Sequence, residues 1–163
     1  MKRNVSLIII AILTTLAGVV ASVHDKKQDN EYSFRCSAFS RYDLSRREGK
    51  PLYFYVSQDL RFINQDSGYL LINGQATTGE DVTVVNRRIA LIHGRKIDSK
   101  TYGYKISDVI TSSDDTTPDD IFNLLLAELT LDPQSLQIGV SEIEENIFLI
   151  RGPLSYLFIC KRY

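Results

Sequence analysis

The sequence predicts an α+β protein, with an N-terminal transmembrane helix followed by a mainly antiparallel β domain that carries one helix at about residues 117–130. Three observations predict it. Residues 5–23 contain no charge and are long enough for a helical span. Apolar and polar residues alternate through most of the rest, the period of half-buried strands. Residues 117–130 alone switch to helical spacing. With 163 residues the chain holds one domain of ordinary size.

Met1-Lys2-Arg3-Asn4 is a basic lead (residues 1–4), and VSLIIIAILTTLAGVVASV follows as residues 5–23. A 19-residue helix at ~1.5 Å per residue spans roughly 28 Å, close to a ~30 Å hydrocarbon core. Lys26 and Lys27 are offset by Asp25, Asp29 and Glu31. The positive-inside bias therefore keeps the N-terminus cytoplasmic and exports the rest. A signal peptide cleaved near Ala21 is the alternative, and it would leave a secreted or periplasmic domain. The run exceeds the ~7–15 residues of a signal core, which favours the uncleaved anchor. Leu16-Ala17-Gly18 imitates a lipoprotein box, but Val19 stands where the lipid-bearing Cys would be.

Residues 24–31 (HDKKQDNE) are polar and unpatterned, a short tether. The exported domain then covers residues 32–163. Tyr32, Phe34, Cys36 and Ala38 alternate as a first strand, and Ser40–Lys50 reads as a polar loop. Further strands are expected in Pro51–Ile63, Gly68–Ala76, Asp81–His93 and around Tyr102, Tyr104 and Ile106. Ser112–Asp120 then leads into the helix. Thr117 suits its N-cap, Pro118 its first position, and Asp119 and Asp120 its positive dipole end. Ile121/Leu125 and Phe122/Leu126/Leu129 share faces, and Pro133 ends the helix. Strands resume at Leu136–Val140, Ile147–Ile150 and Leu154–Cys160, with a turn at Glu144–Asn146.

Charge and cysteine content exclude several classes. Nineteen basic against twenty acidic residues give net −1. That removes a global electrostatic case for nucleic acid, and export makes such a partner unnecessary. Without Lys2 and Arg3 the exported part has 17 against 20, net −3. The two cysteines alternate in phase with apolar neighbours: Cys36 with Phe34 and Ala38, Cys160 with Tyr156 and Phe158. In an exported domain they suggest a disulfide, Cys36–Cys160, joining first strand to last. The alternative is two separate buried thiols.

No candidate chemistry survives comparison with its plain reading. Gly74 and Gly79 have the spacing of a phosphate loop, but Glu80-Asp81 replaces the Lys-Ser/Thr that would contact phosphate. Asp114, Asp115, Asp119 and Asp120 lack the spacing of a calcium loop, and helix capping accounts for them. His93 lacks a hydrolase or metalloprotease signature around it. Arg41, Arg46, Arg47 and Lys50 form one basic cluster, and Arg87, Arg88, Arg95, Lys96 and Lys100 another; both read as solvated surface that blunts strand edges, with a face for anionic lipid or an acidic partner as the alternative. No catalytic, cofactor-binding or metal-binding residue is assigned, and no cofactor is expected.

The basic lead and single span, the early Cys36, Gly68 and Gly74 in the middle, and the ending Gly152-Pro153 through Phe158-Ile159-Cys160-Lys161 together resemble the FidL-like membrane proteins of enterobacteria. The resemblance implies a small inner-membrane protein with an extracytoplasmic domain. It carries over no catalytic residue. It hints at an accessory role.

The expected function is therefore non-enzymatic. Residues 5–23 hold the chain in the inner membrane, and the periplasmic domain serves as an accessory module for another envelope protein. A small-ligand carrier with an apolar β cup is the second reading. A hydrolase needing His93 in a cleft beside a serine or carboxylate is the third.

Overall fold

The computed structural model describes residues 34–46, 49–153 and 155–163. Eight strands run in chain order: β1 (Phe34–Asp43), β2 (Leu52–Phe62), β3 (Gly68–Thr78), β4 (Asp81–Lys96), β5 (Thr101–Thr111), β6 (Ser135–Glu144), β7 (Ile147–Arg151) and β8 (Tyr156–Arg162). One helix, α1 (Asp119–Leu129), lies between β5 and β6. Each strand pairs antiparallel with its neighbour, and β8 returns to β1 to close a barrel.

The α+β class expected from the sequence is thereby corrected to a closed antiparallel β-barrel with one short helix. Alternation reports only that each strand has one wet and one dry face. Open and closed sheets share that pattern, because closure depends on tilt and register. Among the described residues no helix is long and apolar enough to cross a membrane. The span expected at residues 5–23 lies outside the described residues, as do the tether and the strand start at Tyr32.

β2 shows why the barrel folds. Leu52, Phe54, Val56, Gln58, Leu60 and Phe62 are all buried, in strict alternation with less buried residues. The matching face of β3 supplies Leu70, Ile72 and Ala76, and β4 supplies Val85, Ile89 and Leu91. Each fully buried Leu, Ile or Phe contributes roughly 1.5–3 kcal/mol relative to exposure. Gly74 on β3 leaves room for the β2 backbone, since a Cβ there would meet the Tyr55 carbonyl oxygen at 2.1 Å. Thr78 pairs with Asp81 around a two-residue hairpin, where Gly79 takes φ +66°. Irregular registers at Ala90/Leu91 and Ile92/Arg95 on β4 supply the bends that closure requires.

The wall is uneven. β1–β2, β2–β3 and β3–β4 pair along nearly their full lengths. β5–β6 pairs only from Thr101 to Lys105 on the β5 side. The helix brings Phe122, Leu125, Leu126 and Leu129 into the common core. At the end where β1, β3, β5 and β7 begin, Phe34 meets Phe148 edge-on at 5.0 Å, and Phe62 stacks on Tyr104 at 5.1 Å.

Two sequence expectations shift here. β1 continues to Asp43, into the stretch expected as loop, because Ser40 and Tyr42 serve a polar contact inside the barrel. The helix starts at Asp119, with Pro118 at its N-cap and no side-chain cap. Thr117 is drawn away, its hydroxyl bonding Thr83 Oγ1 at 2.9 Å and donating to the Val84 carbonyl at 2.8 Å. The helix ends at Leu129, ahead of Pro133, with the Thr130 hydroxyl and N–H both donating to the Leu126 carbonyl.

Candidate functional site

The seam between β1 and β8 is the thinnest junction of the wall. Only Cys36↔Arg162 and Ser37↔Lys161 face each other across it. Cys36 and Cys160 form a disulfide there, with Cα atoms 5.5 Å apart and both side chains buried. The bond spans 124 residues of sequence, for which the chain-entropy model gives about 4–5 kcal/mol. Inward alternation on the first and last strands brings the two sulfurs together, and closure of the barrel makes those strands neighbours.

The acidic segment before α1 has a structural task. β4 pairs with β5 only from Arg87 onward, which leaves the edge of its first half open. Residues 112–117 fill that edge. Ser112 N–H donates to the Asn86 carbonyl and Thr116 N–H to the Val84 carbonyl. Asp115 accepts from Asn86 N–H at 2.7 Å and Thr117 N–H at 3.0 Å. Asp114 accepts from the Asn86 amide. Carboxylates held by protein donors in this way replace a missing strand.

Arg87 anchors the segment from inside. It is only 4% exposed. Its guanidinium donates to both Asp115 oxygens (3.1 and 3.2 Å), to Asp119 (2.7 Å) and to the Thr117 carbonyl, and it stacks over Phe122 at 4.5 Å. Burial raises the Asp115 pKa, but the Arg87 hydrogen bonds and charge outweigh it and hold the carboxyl below its usual range. The sequence reading placed Arg87 in a solvated cluster; the structure buries it. The alternation Val85-Arg87-Ile89-Leu91 carried the signal. Gln58 is the same case on β2. Its amide donates to Tyr42 Oη at 2.7 Å and accepts from Ser40 Oγ at 3.4 Å.

His93 lies in a β4 bulge at φ 53° and is exposed. It lines an open groove of about 450 Å³ together with Arg95, Lys105, Asp132 and Ser135. The serine and carboxylate that a hydrolase would need are thus nearby. The Ser135 hydroxyl, however, donates to Asp132 at 3.3 Å, and among the described residues the His93 side chain has no hydrogen-bond partner. The groove does not assemble a nucleophile–base pair. The other basic residues hold no catalytic group together: Arg41 lies over Tyr53 and Tyr55, and Arg88 over Tyr69.

The profile of the family described as "FidL-like putative membrane protein" matches residues 74–160. The chain belongs to the FidL-like family. The match starts within β3 and ends at the second cysteine of the disulfide. The matched stretch takes in α1, the Arg87–Asp115 cluster and the His93 groove, whereas Cys36 precedes it. The resemblance read from the sequence extended further toward the N-terminus than this. No curated protein matches the chain.

Proposed function

We propose that this FidL-like protein is a non-enzymatic, single-pass inner-membrane protein whose periplasmic barrel engages another envelope protein. The carrying observation is one chain that joins a 19-residue charge-free run to a barrel closed by a buried disulfide. The run suits a bilayer and the bond suits an oxidising compartment. The family's description as a membrane protein supports the same arrangement.

The outer wall supports an interaction role. Phe39 is 72% exposed and Ile159 58% exposed. They lie two residues beyond the last seam pair, Ser37↔Lys161, one on each strand. Exposed apolar side chains beside an incompletely paired strand edge suit a protein partner. The interior favours this reading over a small-ligand carrier, since side chains from all eight strands and α1 occupy the space a cup would leave open. The eight-residue tether reaches at most ~28 Å, so the partner is itself membrane-bound or close to the membrane.

The test is in-cell photo-crosslinking from position 39 or 159 of the full chain. The expected result is one adduct of defined mass from each position. Adducts to nothing but lipid, or none, reject the partner.

A further inference from the structure

A trough on the outer wall carries chemistry that the proposed partner does not use. The groove beside His93 (about 450 Å³) and a second cavity of about 270 Å³ share Gln137, so they form one depression along β5 and β6. Gly103 and Gly139 have no side chains, and this lets Ile97 and Arg95 lie over the first and Arg151 over the second. Each glycine faces an arginine across the ladder: Arg95↔Gly103 and Gly139↔Arg151. Each guanidinium lies over its glycine. A Cβ on Gly103 would sit 3.4 Å from Arg95 Nε, and one on Gly139 would sit 3.3 Å from Arg151 Nε. Arg95 reaches in from β4 and Arg151 from β7, so two cations approach the same pair of strands from opposite sides. From sheet spacings the two glycines are roughly 8 Å apart. Lys105 adds a third cation to the groove.

No carboxylate among the described residues is in direct contact with these cations, although the charge of Arg151 reaches Asp98 in the same cavity and helps to lower its pKa. Among the described residues none of the three forms an ion pair. Arg151 donates only a long hydrogen bond to Ser141 Oγ, at 3.4 Å. The two carboxylates of the trough are engaged in turns. Asp98 accepts from Lys100 and Thr101 N–H, and Asp132 from Gln134 N–H and the Ser135 hydroxyl.

We propose that this trough binds a phosphate-bearing group. Two guanidinium forks and an ammonium along one trough offer more donors than one carboxylate can accept. A phosphate monoester has three terminal oxygens for them, and the phosphodiester of a lipid headgroup has two. The phosphate comes from a soluble ester or from a phospholipid headgroup. This site stands whether or not the proposed protein partner exists.

The test is arginine modification by phenylglyoxal, read by mass spectrometry on the full chain. In an uncharged detergent, glycerol 3-phosphate is compared with sodium chloride and sodium glycerate at equal ionic strength. A parallel arm compares vesicles of phosphatidylcholine with and without phosphatidylglycerol. The expected result is at least about fivefold slower modification of Arg95 and Arg151, with Arg41 and Arg88 unchanged. Protection by glycerol 3-phosphate identifies a soluble ester, and protection only by phosphatidylglycerol identifies a headgroup. Lys105→Gln lies on the surface and leaves the barrel intact; it should shift the midpoint of protection about tenfold. Unchanged modification rates in both arms overturn the proposal. So does equal protection by glycerate, or an unshifted midpoint in Lys105→Gln.

Discussion

Arg87 and Asp115 behave as one unit, and their removal should not be additive. Arg87→Met strands a buried carboxylate, with an expected cost of about 3–5 kcal/mol, whereas Arg87→Met with Asp115→Leu should recover much of that. Urea midpoints of the four proteins in the cycle measure the coupling. The same pair sets an acid limit. The folded pKa of Asp115 is lowered, so its contribution is present above its unfolded value near 3.9 and is lost as pH falls through the folded value. Stability of wild type should therefore drop below about pH 4, and the double variant should lose less there. Tyr104 sets an alkaline limit. Burial raises its hydroxyl to about 12, so stability falls as pH rises from about 10, where the unfolded phenol ionises, and the loss is complete above about 12. Phenolate absorbance followed with the unfolding transition checks this. At this scale the sequence was legible wherever a side chain kept to type. Cys36 and Cys160 were readable from their apolar phase, while Arg87 and Gln58 were not. A charged or amide side chain at an inward position looks like surface until the groups that satisfy it are known, and those lie 28 or more residues away for Arg87.

Elements were readable in kind and less so at their ends. Six of the inward positions on β2 repeat every second residue, and that period survives any neighbour. The helix was visible from its spacing, but its first turn was not. Thr117 is a good N-cap on local grounds, yet β4 needs its hydroxyl more. The edge of β4 from Asp81 to Asn86 competes with the helix for the same short segment. Packing then fixes α1 from its other face. Leu125 is wholly buried among strand residues, so Leu125→Ala should cost about 2–5 kcal/mol. The exposed neighbour Asn123 is the control, and its alanine variant should lie within about 0.5 kcal/mol of wild type. Thermal or urea unfolding of both variants separates the two outcomes.

The whole molecule was the least legible level. Eight alternating strands leave an open sheet and a barrel equally satisfied residue by residue, and the uneven pairing of β5 through β8 has no local signature. The cysteine positions came nearest to announcing closure, since they tie the first strand to the last. Reducing the bond should lower stability by about 2–5 kcal/mol without changing the inward pattern of the strands. Unfolding midpoints with and without reductant measure it, and Cys36→Ala/Cys160→Ala should match the reduced protein.

The order of events during synthesis follows from that seam. Every other strand pair joins neighbours in the chain, so β1 through β7 can add to one another as the polypeptide emerges. The final join cannot form until β8 is free, and Cys160 lies on that last strand. A chain stopped at Ile159 would keep seven strands and most of β8, yet its Cys36 would have no mate and its first strand a bare edge. Completion of this barrel therefore waits on its last strand. A chain that stops before β8 is complete should be distinguishable from the full chain by its protease sensitivity.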